Sequence, residues 1–69
     1  MNSFNAIVYA FALQEYNRIA RFNGFLPTDI DAGCTAITIQ DAANRVRATN
    51  PQLASTLDDY ARDIAPTRR

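Results

Sequence analysis

Residues 3–22 read SFNAIVYAFALQEYNRIARF, and the fold turns on how this stretch is read. No Gly or Pro interrupts the chain until Gly24, an interval of helix length rather than strand length. Ser3, or Asn2 before it, is suited to accept from the first free amides as N-cap. Asn23-Gly24 supplies the stop, with Gly24 expected in the left-handed C′ conformation. Pro27 prevents the helix from resuming, and Phe25 is expected to fold back onto Ile19 or Ala20. Arg18 and Arg21 fall in the last turns, where cations meet the negative end of the helix dipole. A long helix over residues 3–23 follows.

Placed at about 100° per residue, the apolar side chains of this helix form two stripes. Phe4, Ile7, Val8 and Phe11 make the first, which Ile19 and Phe22 rejoin further along, with Glu15 and Arg18 interrupting it. Tyr9, Leu13, Tyr16 and Ala20 make the second, roughly opposite, with Ala6 beside it. One apolar face suffices for a surface helix, so a helix apolar on two sides is central in the fold or lies between two chains.

Size points the same way. At 69 residues the chain is expected to form one domain, near the lower limit of what an unaided core stabilises. It carries no disulfide pair and no metal-type cluster, so a homodimer is the expected remedy. The ordinary apolar fraction argues against global disorder. Seven Arg, no Lys and seven acidic residues give zero net charge, so no bulk attraction to nucleic acid or anionic membrane is expected. The single Cys34 suits a reducing cytoplasmic setting. The N-terminal apolar run lacks a basic flank and is broken at Glu15, so neither a signal peptide nor a membrane span is expected.

Residues 24–37, GFLPTDIDAGCTAI, read as an irregular connector punctuated by Gly24, Pro27 and Gly33. Phe25, Leu26 and Ile30 are expected to point into the core. The alternation at residues 35–39 allows a short extended piece, although Thr38 is better used as the cap of a second helix over 39–48. Asp41 three residues on would complete a shortened capping box. Ile39, Ala42, Ala43 and Val46 give this helix a narrow stripe of mostly small side chains, and Asp41 with Arg45 has i,i+4 spacing. Asn50 and Pro51 begin a third helix over 51–65 as N-cap and first residue. Leu53, Leu57, Tyr60 and Ile64 form its continuous inner face. Gln52, Ser55, Asp58, Asp59, Arg62 and Asp63 take the water side. Pro66 ends it, and Thr67–Arg69 is expected to fray. The fold class is therefore all-α: a long N-terminal helix, a connector and a C-terminal helical hairpin packed across one stripe of the first helix.

The chain is poor in catalytic groups. It has no His, which removes the commonest general base, the usual nucleophilic triads and most zinc sites. Cys34 has only Asp29 and Asp31 as nearby charges in sequence, which would raise a thiol pKa rather than activate it. Asp29-x-Asp31 begins like a calcium loop, but Gly33 falls one place early and Gln40 stands where a bidentate Glu is needed. Turn stabilisation is the expected role of both aspartates. No catalytic residue, cofactor or metal is expected.

Residues 38–61, TIQDAANRVRATNPQLASTLDDYA, resemble the N-terminal part of helix-turn-helix DNA readers, which would imply a small DNA-binding regulator. The turn carries Asn-Pro where Gly is common, and Asp58, Asp59 and Asp63 on the reading helix would oppose phosphates. A ribbon-helix-helix arrangement with residues 35–39 as ribbon would have no Arg or Lys to read bases. The favoured expectation is a non-enzymatic regulator or inhibitor that occupies another protein's surface. Compact, cofactor-free proteins of phages and mobile elements act on host regulators in this manner. Tyr9, Leu13 and Tyr16 are the expected aromatic contact surface, since Tyr is enriched in binding patches. Arg18, Arg21, Asp58 and Asp59 are the expected charged contacts.

Overall fold

The computed structural model describes residues 3–24 and 29–65, with side chains from Ala6 onward and without that of Asn23. Three helices follow one another: α1 (Ser3–Asn23), α2 (Ala36–Val46) and α3 (Pro51–Ile64). Among the described residues there is no strand. The expected positions of Phe25, Leu26, Pro27, Pro66 and the terminal tail lie outside the described residues, as do the side chains of the proposed caps Asn2 and Ser3 and of Phe4.

α1 ends as its sequence demands. Gly24 has φ +71°, a left-handed conformation that costs glycine nothing and any residue with a Cβ more. Its N–H donates back to the carbonyl of Arg21. The chain then returns along the same helix. The Asn17 carboxamide donates to the Ile30 carbonyl and accepts from the Ile30 N–H, both at 2.9 Å. This two-bond clip seats Ile30 in the core, where the sequence reading had placed it. Asp29, one residue earlier, pairs with Arg21.

α2 starts three residues earlier than the expected Ile39, and Thr38 is not its cap. Thr35 is: its backbone is extended and its hydroxyl accepts from the Thr38 N–H at 3.3 Å. The reason lies in the turn before it. Asp31 Oδ1 accepts from the Gly33 N–H at 2.8 Å, and the Asp31 carbonyl accepts from the Cys34 N–H. That turn delivers Thr35, rather than Thr38, in cap geometry, so residues 36–39 are helical and not extended. Thr38 is left sharing a hydroxyl–hydroxyl hydrogen bond with Thr35. α2 also ends earlier, at Val46, whose carbonyl accepts from both Thr49 and Asn50. Asn50 then caps α3 by accepting from the Leu53 N–H at 3.1 Å, with Pro51 in the first turn.

Ile39, Ala42, Ala43 and Val46 of α2 are buried, as their spacing predicts. Leu53, Ala54, Leu57, Tyr60 and Ala61 face them from α3. Ile64, expected to continue that face, is only half-buried against the core. The most extensive helix pairing is between α2 and α3. Ala43 and Ala54 are both completely buried, and their small size admits this close approach. α1 covers the hairpin with Tyr9, Ala12, Leu13, Tyr16, Ile19 and Ala20. The hairpin is therefore packed on the tyrosine stripe, which also draws in Ile19 and part of Val8, while Ile7, Phe11 and Phe22 of the other stripe face outward.

Candidate functional site

Burial reverses the expected roles of the two stripes. Tyr9, Leu13 and Tyr16, expected as a contact surface, are core residues of the single chain. They are covered by the hairpin, because Tyr60 of α3 offers a ring for Tyr9 to stack on. The ring centroids lie 4.6 Å apart with planes inclined by 19°. The Tyr9 hydroxyl donates to Asp63 Oδ2 at 2.6 Å. That bond, with burial and the neighbouring carboxylates, pushes the Tyr9 pKa up to about 12. Tyr16 is fully buried, and its hydroxyl has no hydrogen bond of ordinary geometry. The Arg45 guanidinium is nevertheless close enough for that oxygen to raise its pKa.

What α1 turns outward instead is Ile7, Phe11 and Phe22, which are 57%, 66% and 87% exposed. Phe11 and Phe22 belong to one strip with Glu15 and Arg18, whose spacing of four, three and four keeps all of them on one side of a helix. Arg18 forms an ion pair with Glu15 within the strip. The pair draws the Glu15 carboxyl below its usual range. Large exposed apolar side chains gathered on one helix face mark an interaction surface more often than chance does.

The charged candidates are held inside the chain. Asp58 is not a free acid on a solvated face: it accepts from Gln40 at 2.6 Å and receives two bonds from Arg47, at 2.9 and 3.1 Å. Arg47 also reaches Asn44. This cluster joins the two helices of the hairpin and holds the Asp58 pKa down, Arg47 contributing most. Asp59 pairs with Arg62 three residues on, Asp63 takes Tyr9, and Arg21 takes Asp29. Asp41 acts on Arg45 only through its charge, because the two form no close ion pair among the described residues. Asp58, Asp59, Asp63 and Arg21 each have a partner within the chain.

A fourth exposed apolar residue lies outside α1. Ile37 in the first turn of α2 is 78% exposed. It lines an open groove of about 550 Å³ with Ala36, Gln40, Asp58, Ala61 and Arg62. Its exposure is not visible in the sequence when residues 24–37 are read as the connector and Thr38 as the cap. Once Thr35 is taken as cap, Ile37 falls on the opposite side from Ile39. Cys34 is half-buried in the preceding turn, its thiol directed at Asp31 Oδ1 at 3.8 Å. Among the described residues no group of His, Cys, Asp and Glu is arranged to hold a metal ion. No described helix is long and apolar enough to cross a membrane. Comparison with protein-family models, with curated proteins and with solved structures gives no match.

Proposed function

We propose that this protein is a non-enzymatic interaction module, a small regulator or inhibitor that acts by placing the outer face of α1 against another protein chain. One observation carries the reading: Ile7, Phe11 and Phe22 stand exposed on a helix whose opposite face already fills the core. Aromatic side chains of this kind supply most of the energy at protein interfaces when a partner desolvates them. The alternative, a DNA-binding regulator using residues 38–61, has less support. Arg47 and Arg62, the cations flanking and on its would-be reading helix, are engaged by Asp58 and Asp59, which leaves Arg45 as the cation of the described segment without an ion pair, and phosphate binding needs several cations to spare.

The test compares the wild type with a Phe11→Ser, Phe22→Ser variant immobilised in nuclease-treated lysate of the source cells. The wild type should retain a protein that the variant loses, with helical content equal in both. A wild type that holds no protein but shifts a DNA duplex at physiological salt would replace this reading with the DNA-binding one.

A further inference from the structure

We infer that the outer face of α1 is shaped for α1 of a second copy, laid antiparallel, with a two-fold axis at the level between Tyr16 and Asn17. The inference rests on the interaction-module reading and names the partner of that same face.

The strip reads Phe11, Glu15, Arg18, Phe22. Its spacings, four, three and four, are the same from either end, and they follow the heptad rhythm of paired helices. The residue types are also symmetric: a phenyl ring at each end and opposite charges between. In an antiparallel pair centred between residues 16 and 17, Phe11 meets Phe22 of the other copy. The same register sets Glu15 against Arg18, and Arg18 against Glu15. One two-fold therefore satisfies both kinds of contact, as a self-complementary interface must.

Parallel pairing fails on the same residues. It would set Glu15 against Glu15 and Arg18 against Arg18, like charges that oppose association. In the antiparallel register the existing Glu15–Arg18 pair of each copy joins its counterpart in a ring of alternating charge. The two phenyl contacts lie about 16 Å apart along the helix, at about 1.5 Å per residue. They flank that ring and shield it from water. Each ring can bury roughly 150–250 Å² when fully covered, so four rings form the apolar flanks of a modest interface.

Sedimentation equilibrium of the full chain should give about twice the 7.7 kDa chain mass. Glu15→Arg alone and Arg18→Glu alone should each shift the protein to monomer at concentrations where the wild type is dimeric. The double exchange Glu15→Arg, Arg18→Glu should restore the dimer, an outcome that excludes misfolding as the cause of the single-variant losses. Register is read by disulfide trapping with Cys34→Ser in every chain. A mixture of Phe11→Cys and Phe22→Cys chains should cross-link and keep one phenyl pair intact, whereas neither chain should cross-link alone. Cross-linking of Phe11→Cys with itself would overturn the antiparallel register. A wild type that stays monomeric at high micromolar concentration would overturn the pairing altogether. If that monomer still held another protein through Phe11 and Phe22, the interaction-module reading would stand without the second copy. A dimer that held no other protein would leave this pairing standing and remove the regulator.

Discussion

The hydroxyl of Tyr9 donates to Asp63 across 54 positions of sequence, at 2.6 Å, and ties the first helix to the last. The bond holds the phenol protonated, with its pKa pushed from 10.0 to about 12. A folded-state pKa above the unfolded value means that the folded chain keeps a proton the unfolded chain releases. The resulting stabilisation is complete below pH 10 and is lost as the pH climbs from 10 toward 12. Urea unfolding midpoints should therefore fall over that window. Tyr9→Phe should lower stability at neutral pH by about 1.5–3 kcal/mol, as loss of a bond to a charged group does, and should flatten the alkaline fall. An unaltered alkaline profile in the variant would show that another group is responsible.

Asn17 is the only side chain seen to clip both backbone groups of a connector residue, Ile30, among the described residues. Asn17→Ala strands the Ile30 N–H and carbonyl in a partly buried place, where each unmet group costs about 1–3 kcal/mol. Hydrogen exchange at the Ile30 amide should accelerate by far more than that at core amides of α3. Equal acceleration at both would mean that the clip acts on the whole fold rather than on the connector.

Asp58 should behave as a structural acid. Its pKa is depressed, chiefly by Arg47, so its contribution is present above the ordinary carboxylate range and is lost as the pH falls through the lowered folded value. With both partners partly open to water, the effect is at most about 1 kcal/mol after solvent screening. Asp58→Asn should weaken the acid dependence of the melting temperature, and Arg47→Gln should do the same. Asp59→Ala, whose partner Arg62 is an exposed neighbour on the same helix, should change little. Reversing the charge of both aspartates is therefore a poor probe of binding, since Asp58→Arg would break the hairpin's own clamp.

Much of the fold was legible because periodicity and capping agreed. Leu53, Leu57 and Tyr60 recur on one face behind Asn50-Pro51, and all three are buried. The small-residue stripe of α2 was equally plain. The start of α2 was not, because Thr35 and Thr38 are both competent caps and the choice is made by the Asp31 turn upstream. The outward surface was misassigned for a related reason. Both stripes of α1 are apolar, and only the position of Tyr60 and Asp63, decided by tertiary packing, draws Tyr9 inward. Tyrosine's tolerance of water made the tyrosine stripe the natural surface candidate, whereas the fold leaves two phenylalanines outside. Asp58 looked available for the same reason that surface charges usually do: its partners Gln40 and Arg47 lie on α2 and at its C-terminal cap.

A pair of tyrosines makes the last prediction. Tyr16 lies two turns along α1 from Tyr9 and is completely buried, but its hydroxyl has no well-formed hydrogen bond. Removing the Tyr9 oxygen deletes a strong bond; removing the Tyr16 oxygen deletes a polar atom stripped of water. A buried unmet hydroxyl costs about 1–3 kcal/mol. Against this stands its loose contact with Arg45, whose guanidinium is exposed and can return to water at little cost. The first effect should win. Tyr16→Phe should leave the melting temperature unchanged or raise it, by up to about 1 kcal/mol of stability, or about 4–8 °C for a chain of this size. Tyr9→Phe should lower it. Both variants keep the ring and differ from the wild type by one atom each, so packing does not confound the comparison. Equal losses in the two would mean that Arg45 satisfies the Tyr16 hydroxyl in solution and that α1 is pinned to the hairpin at two polar points instead of one.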